Sequence, residues 1–348
     1  MTPKERVVAA LLRREPDLVP HFEWILNPGV RRAMTGLESE LDFIERMDID
    51  GIAVDTDMRK LTIDSRHYKD EWGITRVSWD EYPNAVGHPI RTKEDLAGLT
   101  VPDPDAEYRF ESIATAMNRF GQERAVIIRL RDVFSQPRDL MGFSEFLAGF
   151  YTEAELVQEL MRVSVDYNTR LAANVRQLGG QIIVVGDDIA GTEGMLISPE
   201  MYRQSVYPHF RKLVQNFKAL GFLVIKHSDG DIMPVMGDLV ESGIDCIDPI
   251  EPRAGMDLRT MKSRYGGRIA LKGNVDCVKT LVSGSPLAVR AAVKACIRAA
   301  GAGGGYIISS SNSIHAGVDP ALYRVFLEAR KELGRYPLDT DALEDRDE

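Results

Sequence analysis

A histidine and an aspartate two residues apart, His227 and Asp229, carry the strongest chemical signal in this chain. They close the run Phe222-Leu-Val-Ile-Lys-His-Ser-Asp-Gly230, whose apolar, β-branched start reads as a buried strand. While the strand conformation persists, residues two apart project from one face, so the imidazole and the carboxylate leave the strand together. Gly230 then lets the chain turn into a helix that begins near Asp231. An aspartate at this point also suits a helix N-cap beside a structural histidine. The pair alone leaves both readings open.

Further polar residues fall one or two positions after other apolar runs. Glu23, Asp55, Arg131, Asn274 and Asn312 are candidates for binding a substrate, and Asp187, Asp188, Glu251 and Lys272 for acid–base work. Two chemistries suit the set. His227 and Asp229, with carboxylates from neighbouring strands, can hold Zn²⁺ through nitrogen and oxygen ligands and leave a position open for substrate. Alternatively, crowded carboxylates bind a cationic or pyrrolic substrate and move protons, with a pKa raised by like charge. Asp187 and Asp188 are adjacent, so in a strand only one of them faces the centre. Arg131 and Lys272 serve either as substrate anchors or as partners of protein carboxylates. Cys246 and Cys277 read as core residues.

Strands must aim these side chains, and the chain supplies a regular set. Apolar runs at 21–24, 49–55, 125–131, 181–188, 222–227, 245–251, 268–276 and 305–312 read as strands, with helices between most of them. The opening helix carries its own start signal: Thr2 as N-cap, Pro3 in the first turn and Glu5 at the capping-box position. Alternation of strand and helix means a parallel sheet. Eight units predict a single (β/α)₈ TIM barrel over residues 1–336, with the site at the carboxyl ends of the strands. No Gly-x-Gly-x-x-Gly follows the first strand, and Ala302-Gly-Gly-Gly305 precedes a strand, so it reads as a turn and not a phosphate cradle. Residues 60–100 break the beat. They read as a small antiparallel β-ribbon, an insertion or lid containing Trp72 and Trp79. The acidic end, 337–348, reads as a solvated tail.

Bulk properties narrow the class. With 348 residues, 44% of them hydrophobic, the chain can bury a large core. A formal net charge of -10 argues against nucleic-acid binding, which wants a basic face. Three scattered cysteines make neither a disulfide framework nor a zinc knuckle. No apolar stretch approaches the roughly 18 residues of a membrane span, and the N-terminus lacks the apolar core of a secretory signal. These features predict a soluble cytoplasmic protein.

The chain resembles the uroporphyrinogen decarboxylase superfamily, and within it the corrinoid-linked methyltransferase branch more than the decarboxylases proper. The resemblance covers nearly the whole chain. It is carried by Thr2-Pro-Lys-Glu-Arg-Val, Pro16-Asp-Leu-Val-Pro, Asp70-Glu-Trp-Gly, Gly186-Asp-Asp-Ile-Ala-Gly-Thr and Ile197-Ser-Pro-Glu-Met-Tyr, and by His227-Ser-Asp-Gly-Asp, Asp248-Pro-Ile-Glu-Pro and Gly303-Gly-Gly-Tyr-Ile. It implies a (β/α)₈ barrel, usually a homodimer. In the methyltransferase members a zinc ion held by a His-x-Cys pair and a later Cys activates a methyl donor or acceptor, and methyl passes to or from the cobalt of a partner corrinoid protein. Here His227 matches the first ligand, while Asp229 and Asn312 stand at or near the cysteine positions. A harder site of His227, Asp229 and Glu251 would suit an ether oxygen or an amine.

The leading expectation is therefore methyl transfer from a small O-, N- or S-methyl compound to a corrinoid protein. A decarboxylase or other lyase would need cationic anchors at the mouth, and the segment after the first strand, Trp24-Ile-Leu-Asn-Pro-Gly-Val-Arg-Arg, lacks the Arg-rich pattern that the decarboxylases use. A barrel that binds a small molecule without catalysis is the third reading.

Overall fold

A computed structural model describes residues 1–78, 83–186 and 188–343. Trp79 of the expected ribbon, the candidate Asp187 and residues 344–348 of the tail lie outside the described residues.

Seven strands form one parallel sheet whose spatial order is the chain order. They are β1 (Gly51–Asp55), β2 (Ala125–Arg131), β3 (Ile182–Gly186), β4 (Leu223–His227), β5 (Cys246–Asp248), β6 (Ala270–Val275) and β7 (Tyr306–Ser310). Their Val, Ile and Leu runs are buried, as strands covered on both faces require. Helices connect most of them, among them Ala154–Gln177 between β2 and β3 and Pro286–Ala300 between β6 and β7. All seven carboxyl ends lie at one edge, because successive parallel strands need crossovers that return the chain to its start.

The eighth run, at His21–Trp24, makes isolated pairings instead of a strand. His21 pairs in parallel with Ile308 of β7. The Ile308 N–H donates to the Pro20 carbonyl at 3.0 Å, and the Asp50 N–H, just before β1, donates to the His21 carbonyl at 3.0 Å. This segment thus bonds both edges of the curled sheet. Pro20 has no N–H to give a ladder, and Asn27 and Pro28 start a helix (Pro28–Thr35), which keeps the extended stretch short.

Lys60–Thr62, His67–Asp70, Thr75–Val77 and Asn84–Gly87 form a four-stranded antiparallel sheet. Asp70 builds its central turn. One carboxylate oxygen accepts the N–H groups of Trp72 and Ile74, each at 3.0 Å, and the other accepts Arg76 Nε at 2.6 Å. Arg76 also reaches Asp139 at 3.0 Å, joining this sheet to the helix Ser135–Met141 that follows β2.

The opening helix, Pro3–Leu11, has the reciprocal Thr2–Glu5 capping bonds that its sequence encodes. The helix expected over 198–220 is interrupted by a π turn at Tyr202–Val206 before Tyr207–Ala219. Pro208 cannot donate to residue 204, and the neighbouring Tyr207 N–H bonds Tyr202 instead. The expected solvated tail packs in its first part. Leu338 lies against the core, Leu343 is buried, and Thr340–Leu343 forms a helical turn. Among the described residues, no helix is long and apolar enough to cross a membrane.

Candidate active site at the carboxyl end of the sheet

His227 is the last residue of β4 and lies in register with Asp248, the last residue of β5. That register sets His227 Nδ1 at 2.9 Å from Asp248 Oδ2. A carboxylate only accepts, so Nδ1 carries the proton. The other Asp248 oxygen accepts Lys272 Nζ at 2.7 Å. All three residues are almost fully buried. The result is a fixed ring whose Nε2 faces outward, 3.8 Å from Asp229 Oδ1. Burial opposes a charge on His227, but the bond to Asp248 and the charges of Asp248, Asp229 and Asp188 outweigh it and raise its pKa. Burial likewise works against ionised Asp248, yet Lys272 and His227 hold its pKa below the ordinary carboxylate range.

Trp24 stacks on the imidazole with centroids 4.1 Å apart and planes 9° from parallel. Its ring fits because position 186 has no side chain: a Cβ on Gly186 would lie 2.5 Å from the indole. Gly230 is needed for a different reason. It has φ +85°, and a Cβ there would meet the Ala190 backbone at 2.5 Å. That turn brings Asp229 back over the sheet.

Asp188, His227 and Asp229 each present one ligand atom, and these atoms lie within 4.8 Å of one another. The Asp229 N–H donates to Asp188 Oδ1 at 2.9 Å. Asn312 Nδ2 donates to Asp229 Oδ2, and the buried Asp229 Oδ1 has no hydrogen-bond partner among the described residues. Burial and the neighbouring carboxylates raise the Asp229 pKa to about 7, against the pull of His227. A buried acceptor with no donor, facing an imidazole nitrogen and a second carboxylate, is short of positive charge. The nitrogen–oxygen set suits Zn²⁺.

The three residues border a cavity of about 230 Å³, together with Trp24, Asp55, Arg129, Arg131, Ser135, Arg138, Gly186 and Asn312. The cations around it are paired. Arg129 holds Asp55 at 3.0 and 2.6 Å, Arg131 holds Asp139 at 2.7 Å, and Arg138 lies 3.4 Å from Asp139. A second cavity of about 330 Å³ adjoins the first and shares Asp55, Arg129, Leu130 and Arg131 with it.

The structure brings together Asp55, Arg131, Asp188, His227, Asp229 and Asn312 among the residues singled out from sequence. Glu23 lies buried below the cavity, its carboxylate accepting the Ser310 hydroxyl at 2.6 Å. Lys272 is likewise buried beneath the site and acts on it through Asp248. Asn274 donates to the Ile250 carbonyl at 2.9 Å and does not border the cavity. Glu251 accepts the Gly230 N–H at 2.8 Å and so supports the turn carrying Asp229. Trp24, Arg129 and Asp248 were not singled out. Asp248 was legible, being the last residue of an apolar run whose neighbour ends in His227. Trp24 was not, since its stacking depends on the packing of segments remote in sequence. Cys246, Cys277 and Cys296 are all free and buried.

The model of the family described as uroporphyrinogen decarboxylase (URO-D) matches residues 72–333, well over half of the chain. The chain is 24% identical to a uroporphyrinogen decarboxylase of Psychromonas ingrahamii, covering 94% of this chain and 97% of that protein. It is 26% identical to the methylcobamide:CoM methyltransferase MtbA of Methanosarcina mazei over 64% of each chain. A solved methyltransferase from Methanosarcina mazei shares the fold, with a TM-score of 0.77 and 19% identity over 95% of this chain and 99% of that one. With the family match spanning six of the seven strands of the sheet and Asp188, His227, Asp229 and Asn312, the chain belongs to the uroporphyrinogen decarboxylase family.

Proposed function

We propose that this protein transfers a methyl group from a small O-, N- or S-methylated compound to a partner corrinoid protein. The observation that carries this reading is the convergence of Asp188, His227 and Asp229 on one point at the cavity wall, with an acceptor oxygen left unsatisfied there. These three residues would hold a zinc ion, which when bound acts as a Lewis acid on the heteroatom that carries the methyl group. The remaining residues do the positioning. Asp248 and Lys272 fix the imidazole tautomer and orientation. Asn312 orients Asp229, Trp24 covers one face of the ring, and the cavity admits the methyl donor. Methyl leaves as a cation equivalent to cobalt(I), and the heteroatom left behind takes up one proton. We also propose that the segment at His21 acts as the eighth strand of a closed barrel, and that the enzyme works as a cytoplasmic homodimer.

Decarboxylation is the second reading, supported by the decarboxylase relatives that align over nearly their full length. Against it, Arg131 and Lys272 are committed to Asp139 and Asp248, so these cations are not available to grip a polycarboxylate. Metal analysis and methylation of cob(I)alamin by a panel of O-, N- and S-methyl donors separate the two. About one zinc per chain, lost in His227→Ala, together with donor-dependent methylcobalamin formation, is the expected outcome. A metal-free protein that methylates nothing in the panel sinks this mechanism.

A further inference from the structure

The second cavity lies between the end of β2 and the antiparallel sheet, and the mechanism above does not use it. Its walls mix aromatic and aliphatic side chains with polar and charged ones, among them Asp57, Lys60 and Asn168. Trp72 and Tyr167 meet edge to face at 4.8 Å, and Tyr68, Leu130 and Leu171 complete the apolar lining. Two buried donors border it. Gln136 is 4% exposed, and its amide nitrogen has no hydrogen-bond partner among the described residues. Arg109 is 2% exposed, and its Nη2 has no hydrogen-bond partner among the described residues, although Nε donates to the Asp103 carbonyl at 2.5 Å and Nη1 is ion-paired with Glu71 at 2.8 Å. Buried polar groups are nearly always satisfied. Two orphan donors beside the aromatic wall of one cavity therefore mark where an acceptor belongs.

The charges limit what that acceptor is. Arg76 pairs with Asp70 and Asp139, Arg109 with Glu71, Arg129 with Asp55 and Arg131 with the same Asp139, while Lys60 and Asp57 add one charge of each sign to the lining. The cavity offers hydrogen-bond donors with little net charge, which suits a neutral or singly charged oxygen and not a phosphate. Beside Gln136 and Arg109 a cationic group would meet donors where it needs acceptors, while Asp55 and Asp57 line another part of the cavity. We infer that this cavity receives the part of the substrate remote from the reacting methyl group, and that this part is an aromatic ring bearing an oxygen acceptor aimed at Gln136 and Arg109. The inference rests on the methyl-transfer reading for the word substrate, and on the cavity alone for the ligand chemistry.

The test is ligand-observed NMR or calorimetry on the full chain with benzoate, acetophenone and benzylammonium. None of these probes carries a transferable methyl group, so failure of methyl transfer does not alter the result, and failure of binding does not touch the metal test. Binding of benzoate or acetophenone, with no binding of benzylammonium, is expected. Benzoate alone would identify an anionic acceptor; acetophenone, with or without benzoate, a neutral one. Gln136→Glu keeps the shape, removes the donor and adds charge, and should weaken the acceptor probes at least tenfold while admitting benzylammonium. Gln136→Leu should weaken the acceptor probes without admitting the cation. If neither acceptor probe binds, or if both bind equally well to the wild type and both variants, the assignment is overturned.

Discussion

At the scale of single residues, burial decides which polar groups act and which are held. Lys272, Asp248 and His227 form a chain of charge-assisted bonds at 2.7 and 2.9 Å, which fixes the orientation of the imidazole. Asp248→Asn should lower zinc affinity by about 10–100-fold, as loss of a partner behind a ligating histidine does, measured by chelator competition. His21 and Glu23 sit deeper, and their burial makes a second, pH-dependent prediction. Burial raises Glu23 from 4.5 to about 7 and lowers His21 from 6.5 to about 3. Between pH 4.5 and 7 the folded state keeps a proton on Glu23 that the unfolded chain has released, so this contribution falls as pH rises. Between pH 3 and 6.5 the unfolded chain protonates His21 while the folded one does not, so that contribution rises with pH. The two slopes oppose each other from 4.5 to 6.5. Glu23→Gln removes one of them, and its stability to urea should climb by about 2 kcal/mol over that range, where the wild type stays flatter. Equal slopes in both proteins would show that Glu23 ionises freely in the fold.

At the scale of elements, local signals located most strands, and tertiary packing decided the rest. Strands ending in Asp55, Arg131 and His227 were legible because each apolar run is long and polar-terminated. The run at His21 was legible as extended, but its failure to form a regular strand follows from Pro20 and from the helix starting at Pro28. What holds that segment between β7 and β1 is partly a buried carboxylate. Asp50 is fully buried, accepts the His21 N–H at 2.9 Å and Arg6 at 3.1 Å, and pairs with Arg330. Arg330 also donates to the Val19 carbonyl at 2.7 Å, tying the closing helix Pro320–Leu333 to the first segment. Arg330→Ala leaves buried Asp50 with Arg6 as its remaining cation and the His21 N–H as its remaining neutral donor. The expected cost is about 3 kcal/mol in chemical denaturation, and a change under 1 kcal/mol would mean that Arg6 suffices.

At the scale of the whole molecule, the sequence marked a rim of polar strand ends but not how its residues divide. The strand-end rule named the rim, and six of its residues border one cavity. It could not separate candidate ligands from supports, because Lys272 and Asp229 differ in depth and not in spacing. Nor could it find the second cavity, which exists only where the antiparallel sheet meets β2. The division has a thermodynamic consequence. Asp188, Asp229 and Glu251 are gathered in one region, so the metal-free protein bears repulsion that binding a cation would relieve. Asp229→Asn should therefore act with opposite signs in the two states. Without metal, the amide keeps the bond from Asn312, can donate toward Asp188 and removes a buried charge, so stability should rise by about 1–2 kcal/mol. With saturating zinc, the wild type should gain about 2.7 kcal/mol at a hundred times Kd, and the variant much less. Thermal denaturation of both proteins with zinc and with chelator measures the crossing. A variant that is less stable than the wild type in chelator would show that Asp229 is a structural cap and not a strained ligand.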